Sequence, residues 1–120
     1  MTFVLLGAVG CRPPLQFSTL QVGRSLNADR TIATHTTRFK PDDTIYASVL
    51  TDRTGASTIL ARWSYAGRVV IEMHKDVSYK GPSATEFHFE SAGGFPEGDY
   101  RVDIFVDGQP VASRDFRVEP

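Results

Sequence analysis

At 120 residues, with 13 basic and 14 acidic side chains giving a net charge of -1, the chain is sized for one domain with one core. The charges are interspersed rather than gathered into runs. That excludes the basic field a nucleic-acid binder relies on, and aromatic rings without clustered Lys and Arg beside them read as core packing.

The chain opens on a short apolar stretch, residues 3–9, too short to span a bilayer. Cys11 is the only cysteine, so no intrachain disulfide and no cysteine-built zinc site can form. It is preceded by Ala8-Val9-Gly10, the kind of small-residue run a signal peptidase accommodates, and followed by Arg12-Pro13-Pro14, which cannot enter a regular helix. Residues 1–18 therefore read as a signal-like segment and flexible tether, and residues 19–120 as the domain.

Residues 20–22 suit a short edge strand, and the Thr-rich residues 32–39 a better one. Asn27-Ala28-Asp29 and Lys40-Pro41-Asp42-Asp43 carry turn chemistry. In residues 44–50, Ile45, Ala47 and Val49 share one face and Tyr46, Ser48 and Leu50 the other, as in a central strand. A polar loop over 51–57 separates it from residues 58–65, which place Ile59, Ala61, Trp63 and Tyr65 on one side. Ala66-Gly67 then turns the chain into an alternating run over 68–74.

Residues 75–84 mix Asp76, Gly81, Pro82 and Ser83 with little periodicity, which predicts a mobile loop. Residues 85–91 return to order, with Phe87 and Phe89 opposite Glu86, His88 and Glu90. The strongest structural commitment is residues 98–118. Tyr100, Val102, Ile104 and Val106 alternate with Arg101, Asp103 and Phe105, Asp107-Gly108 suits a type I′ turn, and a second arm follows over 111–118. No stretch sustains a 3.6-residue apolar period. The expectation is an all-β fold, a single antiparallel β-sandwich of seven to eight strands.

Glu86, His88 and Glu90 project from one strand face at intervals of about 7 Å, a spacing that could supply two metal ligands. One strand does not close a coordination sphere, so the reading is a solvated outer face, with no metal and no cofactor. No Ser or Thr sits on a strained nucleophile turn, Asp42-Asp43 suits turn stabilisation, and Gly93-Gly94 and Gly98 lack the helix and lysine of a phosphate cradle. No catalytic residues emerge, and an enzyme is not expected. Recognition is carried instead by the end loops over 52–57, 75–84 and 91–99, where Tyr79 and Phe95 are candidate interaction residues. Phe95 also reads as a plug over the open end of the core. A free sheet edge is a second route to a partner.

Two resemblances sharpen this. The run AVGC over residues 8–11 resembles a bacterial lipobox, with Ala8 where Leu is usual, which implies acylation of Cys11; the other reading is an apolar arm carrying a free thiol. From Phe39 onward the pattern resembles a disulfide-free immunoglobulin-like domain of bacterial envelope and secreted proteins. The resemblance implies that Trp63 is buried between the sheets, that the Tyr100 hydroxyl bonds back to nearby backbone, and that Val102 stands where the second cysteine of disulfide-bonded members would be. Together they suggest a non-enzymatic cell-envelope lipoprotein, in the periplasm or anchored to a membrane through Cys11, that binds or spaces envelope or host proteins. The alternative is a carbohydrate-binding module using end-loop aromatics.

Overall fold

The computed structural model describes residues 13–120, so Cys11 and the apolar opening lie outside the described residues. The strands are β1 (Phe17–Gly23), β2 (Arg38–Phe39), β3 (Ile45–Thr51), β4 (Gly55–Tyr65), β5 (Arg68–Tyr79), β6 (Ser83–Phe89), β7 (Gly98–Val106) and β8 (Gln109–Val118). They form two packed sheets, one ordered β1-β3-β6 and the other β2-β8-β7-β4-β5.

The alternation along each strand decides what lies between the sheets. Ile45, Ala47 and Val49 of β3 face Ile59, Ala61 and Trp63 of β4 and Val102 and Ile104 of β7, all fully buried in one cluster. Burying a side chain of this size is worth about 1.5–3 kcal/mol, so this one shared face dominates the stability of the two layers. The two tight hairpins have the same origin. Ala66-Gly67 and Asp107-Gly108 all take positive φ, between 50° and 83°, the pair of values a type I′ turn demands and the twist of the flanking strands favours.

The sheets are not wholly antiparallel. β2 runs parallel to β8, with Arg38 opposite Arg117 and Phe39 opposite Val118. The cause is a crossing. After β1 the chain leaves the first sheet and arrives beside the last strand of the second in the same direction, and the exchange buries Phe39 edge-on against Phe116 at 5.4 Å.

Two further expectations are corrected. Residues 32–39 supply a strand only at Arg38–Phe39. The preceding residues form an irregular hairpin with the continuation of β1, bridged at Gly23–His35 and Leu26–Ile32. Its tip folds back over the outer face of the first sheet, where the Arg30 carbonyl accepts a hydrogen bond from the Ser48 hydroxyl and buries it completely. Residues 75–84 are likewise not a loop, because β5 runs on to Tyr79 paired with Gly55, and β6 begins at Ser83. Only Lys80, Gly81 and Pro82 turn the chain.

The packed part also begins before residue 19. Leu15 is buried, its amide donates to the Ser57 hydroxyl, and the Pro13 carbonyl accepts from the Ala56 amide.

Tyr100 closes one end of the core. Its ring stacks on Phe116 and its hydroxyl donates 2.6 Å to the Pro96 carbonyl. Burial, and secondarily the Tyr65 phenol, push its pKa above the ordinary tyrosine value, so it stays a donor at neutral pH. Tyr100→Phe is expected to lose about 1 kcal/mol in urea unfolding with the strand content unchanged. A loss indistinguishable from zero would show that the bond holds nothing in place.

Candidate functional site

The two sheets end in different strands on their open side, β5 on the larger sheet and β6 on the smaller, and polar and aromatic side chains meet in the slot between them. Its far end is shut by Tyr79, whose hydroxyl hydrogen-bonds with that of Thr85 at 2.6 Å. Its middle is bridged by Lys75. This lysine lies on the core-facing side of β5, opposite Ile59, and reaches across to the Glu86 carbonyl and, at 3.7 Å, the Glu86 carboxylate, with the Phe87 ring 5.2 Å beneath it. An inward-pointing lysine on an edge strand is one of the devices that keeps such an edge from recruiting another strand.

Glu86, His88 and Glu90 do not assemble as a ligand set. Glu86 is drawn to Lys75 and to His88, whose Nδ1 lies 3.1 Å from it, and Glu90 falls beyond the end of β6. Among the described residues no group of three His, Cys, Asp or Glu side chains is placed to hold a metal ion.

Beyond Lys75 the slot opens into a shallow cleft of about 300 Å³, lined by Tyr65, Val70, Phe89, Phe95 and Tyr100 with Glu90 at its margin. The aromatic rings are its floor rather than its contact surface. Phe95 is 4% exposed and packs edge-on against Phe89 and Tyr100, at 5.0 and 5.9 Å. It is held there by its amide, which donates to the Pro41 carbonyl. Phe95 therefore sits as the plug of the core end, and presenting its face to a ligand would mean opening that end. Tyr79 is half-buried against the core with its hydroxyl engaged. Trp63 is fully buried between the sheets, 5.3 Å from Phe89, and its indole nitrogen has no hydrogen-bond partner among the described residues.

The larger sheet's outer face is laced with ion pairs. Arg62 pairs with Glu72, Arg101 with Asp115 and Arg117 with Asp99, while Arg38 pairs with Glu119 beyond the strands. These exposed pairs add little stability, but they neutralise those four guanidinium groups.

Sequence reasoning passed over the β5 surface. Val69, Val70 and Ile71 are 57%, 52% and 39% exposed, next to the β4–β5 turn. The available signal was the run itself. Three successive apolar residues break the alternation that the rest of the strand keeps, and a bulge between Trp63 and Ser64 on the paired strand makes Val70 the extra residue.

No helix among the described residues is long and apolar enough to cross a membrane. Neither a family model nor a curated protein matches the chain. Solved structures do share its fold. An alkylpurine DNA glycosylase from Pseudomonas fluorescens, bound to DNA containing an abasic site analog, matches over 89% of this chain at 13% identity with a TM-score of 0.58. A β-glucosidase from Listeria innocua in complex with glucose matches over 88% at 9% identity with a TM-score of 0.54. The chain spans 31% of the first protein and 16% of the second. At these identities the likeness is one of fold, an all-β arrangement of two packed sheets that both longer proteins contain as a minor part.

Proposed function

We propose that this chain is a non-enzymatic, immunoglobulin-like module of the bacterial cell envelope that binds or spaces other proteins, carried on a lipid anchor at Cys11. The observation that carries the non-catalytic part is where the polar chemistry goes. Glu86 is engaged with Lys75 and with His88, Arg62, Arg101 and Arg117 of the larger sheet are paired with carboxylates, and the cleft between the ends of the sheets is floored by core aromatics. A catalytic site needs a nucleophile, a base and an orienting group converging on one point, and among the described residues no such convergence supports the enzymatic reading. The matched portions of the glycosylase and the glucosidase are under a third of each chain, which agrees with an accessory role for this fold. What those proteins bind is not carried over, and the nearly balanced, interspersed charge argues against a nucleic-acid partner here.

The immunoglobulin-like part rests on three features. The first strand region splits, β1 pairing in one sheet and β2 in the other; Trp63 lies between the sheets; and Tyr100 bonds back to Pro96 as a tyrosine corner does. The carbohydrate alternative loses support, because Phe95 is buried and Tyr79 half-buried, leaving neither ring free to stack on a sugar.

The anchor rests on AVGC ending in the lone cysteine, ahead of a domain first fastened to the sandwich at Pro13. Feeding a labelled fatty acid to the native host tests it. Wild type is expected to take up label into the membrane fraction and Cys11→Ser to take up none. Equal labelling of the two would remove the anchor and leave only the module.

A further inference from the structure

Four successive residues at the start of the domain are fastened to the loop that opens β4. The Pro13 carbonyl accepts from the Ala56 amide at 2.9 Å, the Pro14 carbonyl from the Arg53 guanidinium at 3.3 Å and the Gln16 carbonyl from the Asp52 amide at 3.1 Å, while the Leu15 amide donates to the Ser57 hydroxyl at 2.9 Å. Leu15 is itself part of the buried core cluster. Gly55 forms the seat, because a Cβ there would meet the Pro13 carbonyl oxygen at 2.6 Å. Two peptide steps separate Pro13 from Cys11, so their Cα atoms lie within about 7 Å of each other whatever the backbone angles between them.

This seat is at one tip of the sandwich. β4 runs from Gly55 to Tyr65, a length of about 33 Å, and Tyr65 lines the aromatic cleft at the opposite tip. The β5–β6 turn shares the seated tip, since Tyr79 pairs with Gly55 and the Thr54 hydroxyl donates to the Lys80 carbonyl.

We propose that the module stands end-on at a bilayer, an inference that rests on the Cys11 lipid anchor proposed above. The tip formed by residues 13–16, 52–57 and 80–82 abuts the lipid headgroups. The tip carrying the aromatic cleft and the exposed residues 69–71 is held about 30 Å out, toward aqueous partners. Charge does not select the seated tip, because the exposed Arg53 and Lys80 are offset by the exposed Asp52 and Asp107. The selection is mechanical. A rigid body joined at one tip by so short a link lies down only if a flank binds lipid, and the outer face of the larger sheet is occupied by ion pairs.

The test uses the full chain extracted from host membranes and reconstituted in vesicles of phosphatidylethanolamine and phosphatidylglycerol that carry an energy-transfer acceptor on a headgroup. Donors are placed on Gly81→Cys at the seated tip and, in a separate variant, on Gly93→Cys, between the cleft residues Ser91 and Phe95. A Cβ at either glycine meets nothing within 4 Å. With a pair whose transfer distance is about 25 Å, transfer should be several-fold stronger from 81 than from 93, because roughly 30 Å separates the two tips. High salt should leave this contrast unchanged. A flexible Gly-Ser insert of about ten residues between Arg12 and Pro13, with a mean span of about 18 Å, should reduce the contrast about twofold or more while the acyl chains remain. Circular dichroism of each variant confirms that the fold is retained. Wild type that fails to float with the vesicles would remove the anchor and the orientation together. Floating protein with equal transfer from 81 and 93, a contrast lost at high salt, or a contrast untouched by the insert would overturn the orientation and leave the anchor standing.

Discussion

Trp63→Ala is expected to destabilise the domain by about 3–5 kcal/mol, out of the 5–15 kcal/mol that holds a typical domain folded. The ring is fully buried and touches both layers. It sits on β4 opposite Val102 of β7 and Ile71 of β5, and meets Phe89 of the other sheet and Phe116 at 5.3 and 6.1 Å. Removing it leaves a cavity that these neighbours cannot fill without moving strands held in their sheets. Chemical unfolding measures the loss. Trp63→Phe separates two contributions, because it keeps most of the ring volume and removes an indole N–H that is buried without a partner. Since that N–H is costly to desolvate, Trp63→Phe should lose much less than Trp63→Ala. A loss below about 1 kcal/mol for Trp63→Ala would mean that the ring does not hold the sheets together.

What was legible in the sequence is what period-two alternation encodes. The hairpin over β7 and β8, the inward set Ile59, Ala61 and Trp63, and the Asp107-Gly108 turn all follow from residues that have only one face to bury. The end of β5 was not legible, because its inward positions hold Lys75 between Met73 and Val77, and a lysine on the core side reads as a break in the pattern. In the structure that lysine crosses to Glu86 with its stem over Phe87, so its charge reaches water and a carboxylate while the strand continues beneath it. Alternation of Val77 and Tyr79 with Asp76 and Ser78 was present there, masked by Gly81-Pro82 just beyond.

The opposite error, a strand expected over residues 32–39, has a different source. Thr-rich sequence suits any extended backbone, and here the extended segment serves as a cover. Ile32 is buried against the outer side of the first sheet rather than in the core between the sheets, so the outer face of that sheet is partly a second, smaller interior. Nothing in the local sequence distinguishes a strand inside a ladder from one that lies across it. The exposed triplet of β5 escaped notice for a related reason. Alternation cannot tell three apolar residues in a row that form a buried central strand from three in a row on an edge, since only the neighbouring strand order decides which they are.

Gly23→Ala is the second large effect expected, and it tests the cover directly. Gly23 ends β1, where it is paired with Tyr46 on one side and bridged to His35 on the other. A Cβ built there would overlap the Thr34 carbonyl oxygen and the Ile32 Cγ2, far inside van der Waals contact. The obstructing atom is backbone, so no side-chain rotation relieves it. The hairpin must move away, and with it go the hydrogen bond from the Arg24 amide to the Thr34 carbonyl, that from the Ala33 amide to the Ser25 carbonyl, and the Arg30 carbonyl that accepts from the Ser48 hydroxyl. Overpacking of this kind costs about 1–3 kcal/mol, and the upper end is expected because a buried hydroxyl would also lose its acceptor. Hydrogen exchange distinguishes local from global loss. The Arg24 and Ala33 amides should exchange much faster in Gly23→Ala, while those of β4 and β7 follow only the fall in overall stability. Unchanged protection at Arg24 with unchanged unfolding free energy would mean that the hairpin does not rest on Gly23. The Trp63 and Gly23 variants therefore probe two separate layers of packing, and because their sites share no partner among the contacts described, their effects should add in the double variant.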